Sequence, residues 1–413
     1  MSIKAVITAG GRGTRMAGMN SEAPKPMIKV CGKPILEHQI DCLKSQGVTD
    51  IILIVGHLGQ VIKDHFGDGG RFGASIGYIT ESEPLGTAGA IYYLKGLLAE
   101  DFLFINGDLI FDIHVKRFMD FHKAAGKTAT LFTHPNSHPF DSALVAADDS
   151  GAVTAILSKE ERRGWRRNRV NAGLHILSPR IFELFKEPRR ADLDREVLPK
   201  LVSSGEVRAY SSPEYVKDVG TPERHRQAGD DIRRGVVKAK SLLNRQSALF
   251  LDRDGTINKY AGLLTDIEDF ELNAGIADII KEANLGGRLA IVVTNQPAIA
   301  RGDITWEQLG EIHGKMETLL GGQGAYVDDI FVCPHHPDKG FEGERTEYKI
   351  NCSCRKPKPG LLLQAAEKYN IDLGRSLMIG DSEADMEAAR NAGCEGRLFI
   401  PKARTARQQC GRK

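Results

Sequence analysis

Short apolar runs rich in β-branched residues alternate along the chain with segments of helical pattern. Such runs are typical of strands buried on both faces, as in a parallel sheet covered by helices. The runs are Ile3–Thr8, Ile51–Val55, Phe102–Asn106, Ala248–Leu251, Leu289–Thr294 and Leu377–Gly380. Because 413 residues are too many for one ordinary hydrophobic core, we predict two α/β domains, each a mostly parallel sheet flanked by helices.

A charged segment at about residues 223–246 separates the two halves. Its first part is poor in apolar residues, and a new strand pattern follows it at Ala248. We therefore expect a first domain over residues 1–228, a linker over residues 229–246 and a second domain over residues 247–413.

The overall charge argues against partners that are themselves strongly charged. The chain has 56 Lys and Arg against 54 Asp and Glu, so no global field attracts nucleic acid or an anionic membrane. No apolar run approaches the ~20 residues of a membrane span, and the first residues lack the pattern of a secretory signal. We expect a cytoplasmic protein without nucleic-acid or membrane partners, in a compartment that keeps thiols reduced.

The first predicted strand leads into a glycine-rich turn, GGRGTRM at residues 10–16. Glycines let backbone N–H groups approach a triphosphate closely, and the N-terminus of a following helix adds positive potential. A tight strand-to-helix turn would explain the glycines equally well. The segment PKPM at residues 24–27 favours phosphate binding, because the flanking prolines stiffen the backbone around Lys25.

These two segments resemble those of the sugar-1-phosphate nucleotidyltransferases, and five later segments match that family in order. They are EPLGTA at 83–88, NGD at 106–108, NAG at 171–173, DREVLP at 194–199 and DVGTP at 218–222. The resemblance covers about residues 1–225. It implies a Rossmann-like domain in which a sugar 1-phosphate attacks the α-phosphorus of a nucleoside triphosphate and pyrophosphate leaves.

The resemblance also implies roles for individual residues. Asp108 and Asp218 would hold Mg²⁺, which prefers hard oxygen ligands, although Asp108 alone could equally be a turn or helix-cap aspartate. Arg15 and Lys25 would be the catalytic cations that neutralise phosphate oxygens. The residues that would bind the nucleotide and the sugar phosphate are Gly10, Gly11, Gly13, Thr14, Gly86, Thr87, Lys159, Asn171 and Gly173.

Two features of this half leave questions open. The family usually has an acidic residue before the lysine of its sugar-phosphate segment, whereas this chain has Ser158 before Lys159. The basic stretch at residues 162–169 could recruit an anionic substrate or could be a solvated loop. Members of the family often self-associate, which leaves a homo-oligomer open, and the sequence does not fix the oligomeric state.

The second half opens with a predicted strand that ends in Asp252 and Asp254. Two acids at this spacing can serve one phosphorus atom, the first as nucleophile and the second as acid and base. The segment FLDRDGTI at residues 250–257 resembles the haloacid-dehalogenase-like phosphatases. The segments VTNQ at 293–296, RKP at 355–357 and IGD at 379–381 follow in the order of that family.

This second resemblance implies that Asp252 forms an aspartyl-phosphate while Asp254 transfers the proton. The residues that would hold Mg²⁺ are Asp252, Asp254 and Asp381, and those that would bind the phosphoryl group are Thr294, Asn295, Arg355 and Lys356. Asp385 either orients the metal or caps the following helix. A calcium-binding loop is the alternative for residues 252–255, but the later liganding acid is missing.

Three cysteines and a histidine between these motifs predict a structural zinc site. Cys333, His335, Cys352 and Cys354 supply the four ligands of a closed tetrahedral set, and His336 fits the pattern less well. With this loop the second half is similar to the heptose 1,7-bisphosphate phosphatases, although histidinol-phosphate phosphatases share the loop. The chain departs from the former at Pro297-Ala298, where Ser-Gly is common.

The fusion of the two halves predicts the substrate. A phosphatase that frees position 7 of a heptose bisphosphate leaves a heptose 1-phosphate, which a sugar-1-phosphate nucleotidyltransferase can use. We expect a bifunctional enzyme that converts D-glycero-D-manno-heptose 1,7-bisphosphate to GDP-heptose. The choice of GTP is what a resemblance of the first half to the guanylyltransferases of GDP-heptose synthesis implies, since no single residue identifies the base. One alternative is a mannose-1-phosphate nucleotidyltransferase fused to a histidinol-phosphate-like phosphatase. Another is a non-catalytic sugar-nucleotide sensor that regulates the phosphatase.

Overall fold

The computed structural model describes residues 3–10, 23–161 and 163–401, and these form two compact units. Unit 1 comprises the described residues within Met1–His134, Asp141–Glu161 and Arg169–Leu243. Unit 2 comprises those within Pro135–Phe140, Arg162–Asn168 and Asn244–Lys413. No helix in the described ranges combines the length and the apolar character needed to cross a membrane.

Unit 1 is built on a nine-stranded mixed sheet. The strands of the unit are β1 (Lys4–Thr8), β2 (Lys29–Val30), β3 (Lys33–Pro34), β4 (Asp50–Val55), β5 (Ser75–Thr80), β6 (Phe102–Asn106), β7 (Leu109–Asp112), β8 (Ala129–His134), β9 (Leu144–Ala147), β10 (Val153–Leu157), β11 (Val170–Leu177), β12 (Val207–Ser211) and β13 (Tyr215–Asp218). Its helices are α1 (Ile35–Lys44), α2 (Gly59–Phe66), α3 (Val115–Ala125), α4 (Leu198–Ser203), α5 (Pro222–Arg233) and α6 (Val236–Ala239).

The central strands of this sheet run parallel in the order β6-β1-β4-β5. Strand β11 is antiparallel to β6 and leads to β9 and β10 at one edge, while β8 and β12 extend the sheet from β11. Two small sheets lie apart from it, β2 with β3 and β7 with β13. The predicted parallel core is thus present, and antiparallel strands are added on one side.

Both faces of β1 are buried, which explains its continuous apolar sequence. Ala5 and Ile7 pack in one core cluster with Leu36 of α1, whereas Val6 packs in a second cluster with Leu198 of α4. Successive side chains of a strand point to opposite faces, so one run of apolar residues serves two cores.

Unit 2 contains a five-stranded parallel sheet in the order β16-β15-β14-β17-β18. Its elements are β14 (Ala248–Leu251), α7 (Ile276–Leu285), β15 (Leu289–Asn295), α8 (Pro297–Arg301), α9 (Trp306–Gly321), β16 (Asp329–Cys333), α10 (Gly360–Tyr369), β17 (Leu377–Gly380), α11 (Glu383–Ala392) and β18 (Glu395–Leu398). Both units are therefore α/β, as predicted, and the six apolar runs correspond to β1, β4, β6, β14, β15 and β17.

Part of the basic stretch at residues 162–169 packs within unit 2. Arg167 Nε donates to Glu317 Oε1 of α9 at 2.9 Å, and the backbone N–H of Asn168 donates to the other oxygen of this buried carboxylate. Lys315 lies over the ring of Trp165. These side chains therefore stabilise the packing of the unit, a role that neither sequence interpretation of the stretch included.

Candidate active sites

The candidate site of unit 1 lies at the carboxyl ends of the parallel strands. Asp108 follows β6, and the pairing of β7 with β13 brings the end of β13 beside it. The backbone N–H of Val219, next to Asp218, donates to the Asp108 carbonyl at 2.9 Å. Gly107 permits this turn, because a Cβ there would overlap the Thr8 carbonyl oxygen. The fold thus brings together the two carboxylates predicted to hold Mg²⁺.

Two cations accompany these carboxylates. Lys25 Nζ forms an ion pair with Asp108 Oδ2, and its side chain is largely buried. A Cβ on Gly220 would lie 3.2 Å from Lys25 Nζ and 3.0 Å from Asp218 Oδ1. The Lys25 ammonium and the Asp218 carboxylate therefore both lie beside Gly220. Arg224 Nη1 donates to the two Asp218 oxygens at 2.9 and 2.8 Å. Sequence reasoning missed Arg224, although its position in the first turn of α5 after DVGTP was a usable signal.

Gly10, two residues after β1, lies against Glu81 and Gly56. A Cβ on Gly10 would lie 2.6 Å from Glu81 Oε2 and 3.3 Å from the backbone nitrogen of Gly56. Burial raises the pKa of Glu81, an acid that the sequence analysis did not select. The other predicted residues of the glycine-rich turn, Gly11, Gly13, Thr14 and Arg15, lie outside the described residues.

The predicted sugar-binding residues form a second group at this edge. Asn171 Nδ2 donates to Asp194 Oδ1 at 2.8 Å, and Asn171 Oδ1 accepts from the Gly173 N–H at 3.2 Å. Gly173 has φ +71, and a Cβ there would lie 2.5 Å from Asn106 Nδ2. Burial, with the nearby charge of Asp192, raises the pKa of Asp194 to about 6. Asp194 is therefore a further candidate that lies within the matched motif DREVLP.

The other residues of this unit that were predicted to bind the substrates lie in different surroundings. Gly86 has φ +79, and a Cβ there would lie 2.5 Å from the Ala191 carbonyl oxygen. Thr87 Oγ1 accepts from the Leu193 N–H at 2.7 Å. Both residues thus hold the segment that leads to Asp194. Lys159 is exposed after β10, and no hydrogen bond or ion pair joins it to the carboxylates of Asp108 or Asp218.

The candidate site of unit 2 also lies at the carboxyl ends of parallel strands. Oxygens of Asp252, Asp381 and Asp385 lie within 4.8 Å of one another. Buried Lys356 Nζ contacts Asp252 Oδ1 at 2.8 Å and Asp385 Oδ1 at 2.6 Å. Burial raises the pKa of Asp252 to about 6, although Lys356 opposes the shift. Three clustered carboxylates are a donor set that fits a divalent cation such as Mg²⁺.

Asp385 caps the following helix and also lies within the group of carboxylates. Its Oδ2 accepts from the Ser382 N–H at 3.1 Å and from Ser382 Oγ at 2.6 Å, which caps α11. Its Oδ1 faces Lys356 within the carboxylate group. Gly255 lets Asp381 approach, because it has φ +83 and a Cβ there would overlap the Asp381 carboxylate.

Asp254 is held by several donors. Arg253 donates from Nε at 3.0 Å and from Nη2 at 2.8 Å, Gln296 Nε2 donates at 2.8 Å, and Asn258 Nδ2 donates at 3.1 Å. The structure thus groups Asp385, rather than the Asp254 carboxylate, with Asp252 and Asp381. Arg253 is fully buried. The sequence analysis missed it, although a basic residue between two acids was visible.

The other predicted phosphate ligands form hydrogen bonds with neighbouring residues of the unit. Asn295 pairs with the backbone of Lys356 in both directions, each hydrogen bond measuring 3.1 Å, and so fixes the position of that lysine. Buried Thr294 accepts from Gln296 Nε2 at 2.8 Å. Arg355 Nη1 donates to the His335 carbonyl oxygen at 3.2 Å.

Cys333, His335, Cys352 and Cys354 converge in one cluster. For five of the six pairs, the distances between Sγ and Nδ1 atoms are 3.3 to 3.6 Å. A tetrahedron of thiolates about 2.3 Å from a central zinc has edges of roughly 3.8 Å, so slight expansion would accommodate the ion. His336 Nδ1 instead accepts from the Asp338 N–H at 3.2 Å.

Each unit is an α/β enzyme domain whose acids and cations suit chemistry on phosphate groups. Residues 4–235 match the nucleotidyl transferase family, and residues 353–405 match the HAD-hydrolase-like family. The first match covers more than half of the chain, which therefore belongs to the nucleotidyl transferase family.

Known proteins resemble each half separately. Mannose-1-phosphate guanylyltransferase of Mycobacterium tuberculosis is 31% identical over 243 residues, which are 58% of this chain and 67% of that protein. D-glycero-β-D-manno-heptose-1,7-bisphosphate 7-phosphatase of Yersinia pestis is 41% identical over 153 residues, which are 37% of this chain and 79% of that protein. The crystal structure of HddC from Yersinia pseudotuberculosis aligns with a TM-score of 0.50 at 28% identity, over 56% of this chain and 99% of that one.

These findings confirm both resemblances drawn from the sequence. The chain is a nucleotidyltransferase fused to a haloacid-dehalogenase-like phosphatase of the heptose-bisphosphate-phosphatase type. Both halves belong to enzyme families, which favours two activities over the sensor hypothesis.

Proposed function

We propose that this chain removes the 7-phosphate of D-glycero-D-manno-heptose 1,7-bisphosphate and then transfers a guanylyl group from GTP to the heptose 1-phosphate. One observation carries the proposal. The two regions of similarity lie on one chain, and the type of product that the phosphatase leaves, a sugar 1-phosphate, is the type of substrate that the guanylyltransferase uses. The Yersinia pestis relative is a 7-phosphatase of this bisphosphate, and its reaction leaves a sugar 1-phosphate. The Mycobacterium relative is a guanylyltransferase that uses a sugar 1-phosphate.

In the proposed phosphatase reaction, Asp252 attacks the 7-phosphorus and the bond to the sugar oxygen breaks. Asp254, held by Arg253 and Gln296, protonates the departing oxygen and then takes a proton from the water that hydrolyses the aspartyl-phosphate. Lys356 neutralises charge on the phosphoryl oxygens. Mg²⁺ held by Asp252, Asp381 and Asp385 would add positive charge at the same place.

In the proposed transferase reaction, an oxygen of the sugar 1-phosphate attacks the α-phosphorus of GTP, and the bond to the β-phosphate oxygen breaks. Lys25, with Arg15, neutralises phosphate charge, and Arg224 orients Asp218. Asn171 and Gly173 position the sugar. Mg²⁺ held by Asp108 and Asp218 would stabilise the charge of the triphosphate.

The experiment that tests the function supplies the bisphosphate with each of the four nucleoside triphosphates and identifies products by mass. We expect inorganic phosphate, pyrophosphate and a guanylyl heptose, with GTP preferred. A matched reaction starts from heptose 1-phosphate and should give the same nucleotide sugar without phosphate release. The absence of any nucleotide heptose in both reactions would reject the proposal.

Mannose 1-phosphate is the second candidate for the transferase, because the guanylyltransferase relatives carry that sugar in their names. Measurement of kcat/KM with heptose 1-phosphate and with mannose 1-phosphate distinguishes the two candidates. A preference for mannose 1-phosphate would leave the phosphatase with a different substrate.

We further propose that the four-residue cluster of Cys333, His335, Cys352 and Cys354 binds a structural zinc ion. The Cys354→Ser variant should lose one equivalent of zinc per chain by elemental analysis. The melting temperature of the phosphatase unit should fall by about 10 °C, because structural zinc contributes several kcal/mol. Cys394→Ser is the matched control, since Cys394 is a buried free cysteine of the same unit. Wild-type protein without zinc, or zinc retained by Cys354→Ser, would contradict the assignment.

A further inference from the structure

Gln39 of α1 is a fully buried polar side chain in unit 1. Its amide nitrogen Nε2 donates to the carbonyl oxygens of Asn106 and Leu109, each at 2.9 Å. A side-chain amide carries two N–H donors, and this one uses both of them on backbone carbonyls. Gln39 therefore joins α1 to two points of the chain that are three residues apart.

These two acceptors lie on either side of Asp108. Asn106 ends β6 of the main sheet, and Leu109 begins β7, which belongs to the small sheet with β13. Gly107 and Asp108 are the two residues between them, so the chain passes from one sheet to the other in a short turn. The Gln39 amide spans this turn and fixes the separation of its ends.

The Asp108 carboxylate depends on this backbone for its position. Among the residues that the structure describes, its one partner is the ammonium of Lys25. A lysine ammonium is a point charge on a flexible stem and imposes no fixed geometry on a carboxylate. The backbone bonds of the turn join Gly107 N–H to the Thr8 carbonyl oxygen and Val219 N–H to the Asp108 carbonyl oxygen. They hold its middle, whereas Gln39 holds both of its ends.

The same side chain carries an unsatisfied atom. Gln39 Oε1 is buried and accepts from no donor in the described part of the chain. Buried polar atoms without a partner are uncommon and destabilising. An apolar side chain of similar size would avoid that cost. The two bonds of the nitrogen are therefore what distinguishes glutamine from an apolar residue at this position.

Helix α1 also holds the segment that carries Lys25. The N–H of Ile35, at the start of α1, donates to the Ile28 carbonyl oxygen at 3.1 Å. Ile28 closes the helical turn that Lys25 opens, because its own N–H donates to the Lys25 carbonyl oxygen at 3.0 Å. One helix is thus bonded to the backbone near both members of the Lys25–Asp108 ion pair.

We propose that Gln39 is a positioning residue of the transferase site and holds Asp108 where its carboxylate can bind a divalent cation. The inference rests on the proposed function, because it concerns the same carboxylates. Removal of a group that orients a metal ligand typically costs about 10- to 100-fold in metal affinity or activity. Loss of the Gln39 amide should therefore weaken cation binding and slow turnover, while the groups that contact nucleotide and sugar stay in place.

The first test compares Gln39→Met with the wild type in the reaction of GTP with heptose 1-phosphate at a series of Mg²⁺ concentrations. Methionine is an unbranched side chain that fills the space without donating a hydrogen bond. The Mg²⁺ concentration that gives half of the maximal rate should rise by about 10-fold or more. At saturating Mg²⁺ much of the lost kcat should return, and KM for both substrates should stay within about threefold of the wild type.

Gln46→Met is the matched control. Gln46 follows α1 and bonds to the backbone beyond the other end of β7, where its Nε2 donates to the Ile113 carbonyl oxygen at 2.6 Å and its Oε1 accepts from the Val115 N–H at 2.9 Å. Each variant thus loses two hydrogen bonds to the backbone beside one strand. Both should lower the melting temperature, but only Gln39→Met should change the dependence on Mg²⁺.

A second measurement needs no substrate. Mn²⁺ is added to the full chain, and the free ion is measured by electron paramagnetic resonance. The equivalent that the wild type binds and Asp108→Asn lacks belongs to the transferase site. Gln39→Met should keep this equivalent with a Kd raised by about 10-fold or more, and Gln46→Met should bind it as the wild type does.

Three results would overturn the inference. They are a wild-type Mn²⁺ affinity in Gln39→Met, an equal loss of affinity in Gln46→Met, and a wild type that binds no more Mn²⁺ than Asp108→Asn. Failure of the proposed function has a different signature. The wild type would then form no nucleotide heptose, yet it would still bind the equivalent of Mn²⁺ that Asp108→Asn lacks, and Gln39→Met would still bind it more weakly.

Discussion

Phosphate release should fall by at least about 10⁴-fold in the Asp252→Asn variant, whereas nucleotidyl transfer to heptose 1-phosphate stays within about twofold of the wild type. An amide cannot attack the phosphorus atom, and loss of a covalent nucleophile removes most of an enzyme's rate enhancement. The substitution also removes one of the two negative partners of buried Lys356, the one at 2.8 Å. Separate assays of inorganic phosphate and pyrophosphate on the same preparation measure the two activities.

Asp266→Asn is the matched control for this variant. Asp266 is an acid of the same unit whose side chain accepts from the Glu268 N–H, and asparagine caps a helix start equally well. It should leave both activities unchanged. If Asp252→Asn kept more than about a tenth of the phosphatase activity with an unchanged melting temperature, another residue would have to be the nucleophile.

The strands at the centre of each sheet could be predicted because both of their faces are buried. Strands β6, β14 and β17 have the bounds expected from their apolar runs, since no polar residue interrupts the run before it reaches the edge of the sheet. Strand β11 was not predicted, because Asn171, Gly173 and His175 interrupt its apolar sequence. Residues 135–140 and 163–168 belong to unit 2. The periodicity of apolar residues indicates which residues are buried but not which residues they pack against. The sequence therefore did not indicate that these two segments belong to unit 2.

For the candidate sites too, the sequence indicated residues whose position depends on local pattern, but not those whose role depends on contacts made in the fold. Acids within two residues of the end of a predicted strand, such as Asp108 and Asp252, could be selected because the carboxyl ends of parallel strands meet at one edge. Arg224 and Glu81 were missed because their roles depend on which elements approach them in the fold. Arg253 was missed for a different reason, since a fully buried arginine is rare. Its partners Asp254 and Gln296 follow two different strands.

We expect Asp108→Asn to lower pyrophosphate release by about 10³-fold and to leave phosphate release from the bisphosphate unchanged. The Asp108 carboxylate pairs with Lys25, and an amide can neither balance that ammonium nor bind a divalent cation as strongly. Initial rates with GTP and heptose 1-phosphate measure the loss. Asp120→Asn is the control, because Asp120 is an exposed acid of α3 in the same unit.

The double variant Asp108→Asn/Asp218→Asn tests whether the two carboxylates act as one unit. The rate losses caused by substituting two residues that hold the same cation are not additive. The double variant should therefore be little slower than the worse single variant. The hydrogen bond of 2.9 Å from the Val219 N–H to the Asp108 carbonyl oxygen holds the two turns that carry these acids beside each other, which is the arrangement that a shared ligand requires. Losses that multiplied in the double variant would mean that Asp218 serves a separate task. Its pairing with Arg224 at 2.8 Å would then be the first place to look for that task.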